Sequence, residues 1–345
     1  MSELKAFRAQ SSGKPLKEIL EQFTAEAIER FPHLKGQLLV VDMNEYEAFS
    51  CWDIDEKKTG LTPVDAMTYI FAHPNVVAMK DDKNARSCAF FDNQKNLNII
   101  LYNDHVDESQ FSNISEQTEK NILYILDHEL AHLAINNGLS ADGSLHAKVV
   151  AESVADAYAL IRQYQRYGVN HSSYSDYVDT FGRSHALIWG DEAHFTNFVM
   201  EEITKRKNLI DFKNLDPQQT SELAWRFAAE YAPSSVIIES LNKTFEPVKK
   251  AFAESQEAGV KTLINIAVDP DSDYYAFKFA SRWLKRYLVG DRLLFPTLQL
   301  PQEYLDAASK KLKERKFKLA QEDILFNIPI VSPKRPTNTV PKRVV

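Results

Sequence analysis

Residues 115–138 read SEQTEKNILYILDHELAHLAINNG, and residues 146–168 read HAKVVAESVADAYALIRQYQRYG. Both stretches are apolar around most of a helical circumference, which predicts two central helices. Ser115 is a suitable N-cap for the first helix, and Gly138 is a suitable stop. We therefore expect helical structure to dominate the chain from about residue 115 onward.

The first of these helices contains the sequence HELAH, from His128 to His132. Residues i and i+4 share one helix face, so the two imidazoles can bind one cation. Glu129 can act as general base on a water without binding the cation itself. In the second helix Glu152 is a candidate third ligand, and Asp156 is a candidate hydrogen-bond partner for His128. The pattern predicts a zinc site completed by a water.

A row of small residues on the second helix supports this geometry. Four alanines recur at every fourth position: Ala147, Ala151, Ala155 and Ala159. Small side chains let two helix backbones approach closely, which would bring Glu152 within reach of the histidines. Burying five ionisable side chains in apolar helices without a cation is costly, so a metal site is the preferred interpretation.

The pattern HELAH, nineteen residues and then ESVAD resembles the thermolysin-type branch of the zinc metallopeptidases called gluzincins. The resemblance covers residues 128–156. It implies roles for five residues: zinc ligands His128, His132 and Glu152, general base Glu129 and orienting residue Asp156. It also implies that an N-terminal α/β lobe supplies an edge strand to a cleft, which a helical lobe closes from the other side.

The alternatives to this pattern are another class of HExxH site and another third ligand. Metzincins need glycine at 135 and histidine at 138, where this chain has Ile135 and Gly138. His146 and Asp142 lie between the two ligand-bearing segments and are alternative third ligands. Asp142 is also a suitable turn residue, and His146 suits the first turn of the helix.

Peptide hydrolysis passes through an oxyanion that needs a hydrogen-bond donor besides the metal. His185 and His194 are the candidate donors, because both lie downstream of the glutamate, as the oxyanion histidine of the gluzincins does. Asp191 is close enough in sequence to hold the ring of His194. Tyr174 and Tyr177 are further candidates that would contribute a phenol.

The N-terminal part of the chain predicts mixed α/β structure. Residues 16–30 form an amphipathic helical pattern, and 37–42 (QLLVVD) have the length and branching of a strand. Residues 75–79 form a second short apolar run. Residues 86–92 and 97–104 flank the polar stretch NQKN and predict a hairpin.

We expect residues 97–104 to be the edge strand of the cleft, because only 105–115 separate them from the histidine helix. Asn98 to Asn103 would then pair with a polypeptide substrate through the main chain.

The sequence thus predicts an α+β fold in three parts. Residues 1–112 form an N-terminal α/β lobe with a small sheet, and 113–325 form a helical lobe that carries HELAH. Residues 326–345 form a proline-rich basic tail without fixed structure. The chain has ten glycines in 345 residues. This is less than half of the usual glycine content of about 7%, and it argues against an all-β sandwich or barrel, which needs many tight turns.

Charge and cysteine content narrow the functional classes. A net charge of −7 does not indicate the overall basic character that is typical of proteins that bind nucleic acid or anionic lipid. The basic run at 310–318 is typical of a solvated helix face rather than a nucleic-acid site. Cys51 and Cys88 cannot form a disulfide framework. No apolar stretch is long enough to cross a membrane, which favours a cytoplasmic protein that would need a non-classical system for export, for example as an effector.

These observations predict a zinc-dependent metallopeptidase. Two alternatives stay open at this point. One is a zinc amidohydrolase that acts on a non-peptide bond, and the other is a non-catalytic interaction protein with a structural zinc.

Overall fold

The computed structural model describes residues 11–43, 50–81, 87–102, 114–135, 143–170, 190–274 and 300–325, with the isolated positions 183, 186, 276, 277, 279–281 and 298. The chain divides into two compact units, Met1–Ile238 and Glu239–Val345. The α+β class is confirmed, because a small mixed sheet near the N-terminus is followed by helices. The predicted boundary near residue 112 stays a prediction, and the predicted tail, 326–345, lies outside the described residues.

Six strands are described: β1 (Ser11–Lys14), β2 (Gln37–Asp42), β3 (Ser50–Ile54), β4 (Ser87–Asp92), β5 (Leu97–Tyr102) and β6 (Ile114–Ser115). β1 and β6 form an antiparallel pair. The other four form one sheet in the order β3-β2-β5-β4. β2 and β5 are parallel, with Leu38 opposite Asn98, while β4 and β5 are antiparallel, with Ser87 opposite Tyr102.

The expectation that 97–104 is an edge strand is wrong. β5 pairs with β2 on one side and with β4 on the other, and every residue of β5 is buried. Its main-chain groups therefore belong to the sheet, and Asn98 to Tyr102 cannot offer a free edge to a substrate. Asn103 lies outside the described residues. In the described part of this sheet, the edge strands are β3 and β4.

Helices cover both faces of this sheet. α1 (Leu16–Arg30) and α5 (Glu116–Ala134) contribute to the core that contains Leu38 and Ile100. α2 (Glu56–Thr59) is a single turn. α3 (Pro63–Phe71) and α4 (Pro74–Asp81) contribute Ile70 and Val76 to a second core that contains Leu39, Val41, Ile99 and Leu101. Residues 75–79, a short apolar run in the sequence, thus lie in a helix that begins at a proline.

α5 and α6 (Leu145–Tyr167) are the two central helices that the sequence predicts. Ser115 caps α5 by accepting a hydrogen bond from the Thr118 amide, and Ser144 caps α6 in the same way. α6 ends before Gly168. Gly138, the expected stop of α5, lies outside the described residues. The alanine row of α6 is buried and comprises Ala147, Ala151, Ala155 and Ala159.

The remaining described helices are α7 (Asn197–Lys205), α8 (Pro217–Tyr231), α9 (Ser235–Glu254), α10 (Gln256–Val268) and α11 (Gln302–Leu325). α7 and α8 belong to the first unit, and α10 and α11 to the second. α8 begins with a capping box, in which Asp216 and Gln219 bind each other's main-chain amides.

In the second unit, the basic run at 310–318 is only partly solvated. Lys310, Lys311 and Lys313 are exposed. Arg315 is instead buried, donates to the carbonyl and hydroxyl of Ser272 at 2.7 and 2.8 Å, and lies over the ring of Phe277. One cation of the run therefore supports packing within this unit.

Among the helices described here, none combines the length and the apolar character that a membrane crossing requires.

Candidate metal centre

The two histidines of HELAH lie on one face of α5, as the i,i+4 spacing predicts. Their Nε2 atoms are 3.1 Å apart. Glu152 reaches them from α6, and its Oε2 atom lies 3.1 Å from Nε2 of His128 and 3.4 Å from Nε2 of His132. These three residues form a group that could hold a metal ion, and they are the only such group in the described part of the chain.

The separations match those of a tetrahedral site. Donor atoms about 2.1 Å from one metal at the tetrahedral angle are about 3.4 Å apart. Oε2 of Glu152 is buried and accepts no hydrogen bond in the described structure, although three imidazole nitrogens lie around it. Acceptor atoms that converge in this way repel one another unless protons or a metal cation lie between them. The donor set and its spacing therefore fit a metal.

Asp156 lies behind His128, on the side away from Glu152. Its Oδ1 atom accepts a hydrogen bond from Nδ1 of His128 at 2.8 Å. This contact keeps a proton on Nδ1, so Nε2, which faces Glu152, is the nitrogen that would bind a metal after losing its own proton. The contact that the sequence predicts between these residues is thus present. Burial by itself would lower the pKa of His128, but the carboxylates of Asp156 and Glu152 outweigh it and raise the pKa to about 10.

Asp156 is fully buried and has three further partners. Arg183 donates to Oδ1 through Nη2 at 2.8 Å, and its Nε lies 2.8 Å from Oδ2. Thr196 donates to Oδ2, and the phenol of Tyr124 donates to Oδ1 at 3.2 Å. Burial would raise the pKa of this carboxyl, but the charges of Arg183 and His128 hold it well below its usual range. Asp156 is therefore a fixed carboxylate.

Sequence analysis missed three of these partners. Tyr124 precedes His128 by one helical turn, so the i,i+4 rule could have placed it on the same face. Arg183 lies two residues before His185, and its charge is a usable sequence signal. Thr196 follows a short 3-10 turn, Glu192–His194, and had no distinguishing sequence signal.

His194 also lies at this site. Its Nδ1 is 2.8 Å from Oδ1 of Asp191, and its Nε2 is 3.1 Å from Oε2 of Glu152. It is not part of the three-residue metal group. Burial and Arg183 act to lower the pKa of His194, but the hydrogen bond to Asp191 and the charge of Glu152 outweigh them and raise it. Its ring therefore stands beside the ligands, held by the aspartate that the sequence suggests.

The other candidate residues do not join the group. His146 is exposed on the first turn of α6, outside the metal group, so it does not serve as the third ligand in this structure. Asp142, His185, Tyr174 and Tyr177 lie outside the described residues.

Glu129 is buried next to the metal group without belonging to it. Its Oε1 atom accepts a hydrogen bond from the hydroxyl of Ser87, the first residue of β4, at 2.5 Å. Sequence analysis did not single out Ser87. The contact joins β4, an edge strand of the described sheet, to α5, the helix that carries both histidines.

A network of ion pairs lies next to His128 in the sequence, at Asp127. Arg166 of α6 donates to both oxygens of Asp127 and, at 2.8 Å, to Glu26 of α1. Arg162 donates to the same Glu26 oxygen at 2.5 Å. These contacts tie α1, α5 and α6 together and fix the two ligand-bearing helices relative to each other.

Comparisons with models of protein families, with curated proteins and with solved structures find no match to this chain.

Proposed function

We propose that this protein is a zinc-dependent hydrolase that cleaves peptide bonds. The observation that carries the proposal is the convergence of His128, His132 and Glu152, with a buried glutamate, Glu129, between the two histidines on the same helix and outside the ligand group. A structural metal site has no use for such a carboxylate, whereas hydrolysis needs a base. The order of these residues along the chain resembles that of the gluzincins, and membership of that group is part of the proposal.

Zinc is the proposed metal because two imidazoles and one carboxylate form a donor set of catalytic zinc sites. Bound there, zinc supplies a Lewis acid that polarises a carbonyl and lowers the pKa of water toward about 7. The protein residues then provide proton transfer, orientation of a ligand and stabilisation of the oxyanion. Glu129 takes a proton from the attacking water and passes it to the leaving amine. Asp156 holds His128 in its tautomer, and His194 donates to the oxyanion.

The choice of a peptide substrate rests on β4. In the described part of the sheet, β4 pairs with β5 alone, so its other edge is available to an added strand. Its first residue, Ser87, contacts Glu129. A peptide that added to this edge would be bound through its main chain next to the base.

A non-peptide amidohydrolase is the second candidate. The interior position of β5 favours it, because the route expected for peptide recognition through 97–104 does not exist. Such an enzyme would use the same metal ligands and the same base on another amide.

One experiment separates these functions. Metal content would be measured for the purified protein, for Glu129→Gln and for the control Glu116→Gln, which changes an exposed glutamate on the first turn of the same helix. Each protein would be assayed with a fluorogenic peptide library. We expect one zinc per chain in all three proteins, and a loss of hydrolysis by several orders of magnitude in Glu129→Gln alone.

Zinc without cleavage of peptides by the wild type would overturn the peptidase proposal. Cleavage of small amides by the same preparation would then identify the amidohydrolase, and no hydrolysis at all would identify a structural zinc. Loss of zinc from Glu129→Gln would overturn the role of that residue as base.

A further inference from the structure

The contact between Ser87 and Glu129 joins two parts of the site that are distant in sequence. Ser87 begins β4, and Glu129 lies on α5 between the two histidines. The hydroxyl donates to Oε1 of Glu129 at 2.5 Å, which is short for a hydrogen bond between a hydroxyl and a carboxylate and typical of a charge-assisted one. Glu129 itself is buried.

Glu129 is held by far fewer contacts than Asp156. Asp156 has four hydrogen-bonding partners, from α5, from the residues around the 3-10 turn and from Arg183. Among the described residues, Ser87 is the one hydrogen-bond donor to Glu129. The terminal torsion of a glutamate is broad, so its carboxylate has no strong rotamer of its own. A single donor therefore decides where its two oxygens point.

The hydrogen bond also distinguishes the two oxygens of Glu129. Oε1 is occupied by the hydroxyl, and Oε2 is left to accept from another group. A base must lie within hydrogen-bond reach of the proton it removes. Fixing Oε1 against the strand fixes Oε2 relative to the neighbouring His128 and His132.

We propose that Ser87 is a positioning residue, which holds the carboxylate of Glu129 so that Oε2 meets the attacking water. This inference rests on the proposed function. Ser87 belongs to β4, whose other edge has no partner strand among the described residues. The same hydrogen bond therefore fixes the base relative to the strand against which a peptide would lie. Loss of the Ser87 hydroxyl should therefore affect the chemical step, because the main chain that would bind the peptide is unchanged.

The hydrogen bond is tested without metal or substrate. Melting temperatures of the chelator-treated protein would be compared for Ser87→Ala, for Glu129→Met, which keeps the volume and removes the acceptor, and for the double variant. Residues that share a hydrogen bond are energetically coupled, so the shift of the double variant should be smaller than the sum of the two single shifts. Additive shifts would overturn the proposal.

The positioning role is tested by kinetics on the best peptide found in the library. Ser87→Ala should lower kcat about 10-fold at unchanged zinc content, with KM almost unchanged. Ser87→Thr keeps the hydroxyl on a residue that suits a strand and should restore kcat. Cys88→Ala, the control at the next position of β4, removes one atom from the opposite face and should leave kcat unchanged.

The outcomes are distinguishable. A raised KM with unchanged kcat in Ser87→Ala, or no rescue by Ser87→Thr, would overturn the positioning role. If the wild type cleaves nothing while the melting temperatures show coupling, the proposed function fails and Ser87 is left with a structural bond only.

Discussion

Nδ1 of His128 lies 2.8 Å from Oδ1 of Asp156, and both residues are buried. Asp156 follows Glu152 by four residues on α6, so one helix face carries both the carboxylate behind the imidazole and the carboxylate in front of it. The ring of His128 thus lies between two acidic side chains from a neighbouring helix and contacts both of them. This arrangement orients the ring before any metal binds and keeps the proton on Nδ1 when Nε2 loses its own to a metal.

Replacing Asp156 by asparagine should weaken the site without abolishing it. The amide can still accept from Nδ1, but the negative charge that orients and polarises His128 is lost. Partners of this kind contribute about 10- to 100-fold to metal affinity or activity. Zinc affinity, measured by competition with a chromogenic chelator, should fall within that range in Asp156→Asn. An unchanged affinity would show that the contact does not support the ligand.

Removing a ligand should have a larger effect than removing its partner. In His132→Ala the site loses one of three donors, so zinc should no longer raise the melting temperature. In the wild type, zinc at 100 times its dissociation constant should stabilise the fold by about 2.7 kcal/mol. His146→Ala is the matched control, because this histidine is exposed on α6 outside the metal group. A zinc response lost in both variants would assign a ligand role to His146 as well.

Metal binding should depend on pH through His128. In the metal-free protein its pKa is raised to about 10, because Asp156 and Glu152 outweigh the effect of burial. A raised pKa means that protonated His128 stabilises the metal-free fold below about pH 6.5, its unfolded pKa, and that this stabilisation declines as the pH rises toward 10. Zinc must displace this proton, so binding becomes tighter with rising pH.

The measurement is the difference in melting temperature between zinc-loaded and chelator-treated protein. It should widen steadily from about pH 6.5 to about pH 8.5, and calorimetry in buffers of different ionisation enthalpy should detect proton release on binding. A constant difference without proton release would show that His128 is already neutral in the metal-free protein.

Local patterns predicted the site better than they predicted the sheet. The pairing of His128 with His132, and of Glu152 with Asp156, follows from the helical period, which depends on neighbours in the sequence. Strand order depends on pairing between distant segments. β3 (SCWDI) was not recognised from the sequence, and its pairing with β2 does not reveal itself in composition.

The interior position of β5 has a physical reason that is visible in its own sequence. LNIILY is apolar on both faces, which is typical of a strand buried on both sides and paired to a parallel neighbour. A strand that lines a cleft is expected to alternate. β4 (SCAFFD) is partly exposed along most of its length and starts with a polar residue at the site. The contact between Ser87 and Glu129 joins residues 42 positions apart in the chain, and no periodicity encodes such a pair.

The ion pairs around Asp127 should contribute to stability rather than to chemistry. Asp127 is buried, and Asp127→Asn would leave the single carboxylate of Glu26 to neutralise both Arg162 and Arg166. Breaking a buried pair by removing one partner costs about 3–5 kcal/mol. Denaturant unfolding should show a loss of that order, whereas Glu21→Gln, which removes an exposed pair on α1, should change stability little. Equal losses in both variants would show that the network is solvated.

In the part of the sheet that the structure describes, β4 has one unpaired edge, which predicts how a peptide would be recognised whatever the side chains of that peptide. A peptide added to this edge would exchange hydrogen bonds with β4 through every second residue, because alternate residues of a strand direct their amides to the same side. Single N-methylation along a cleaved peptide should therefore lower kcat/KM at alternate positions and leave the positions between them almost unaffected. Each lost main-chain hydrogen bond is worth about 0.5–1.5 kcal/mol, or roughly 2- to 10-fold. Since Ser87 ties this edge to Glu129, the sensitive positions should flank the scissile bond. Uniform tolerance of N-methylation would mean that β4 does not bind the substrate, and the non-peptide amidohydrolase would then be the better description of the site.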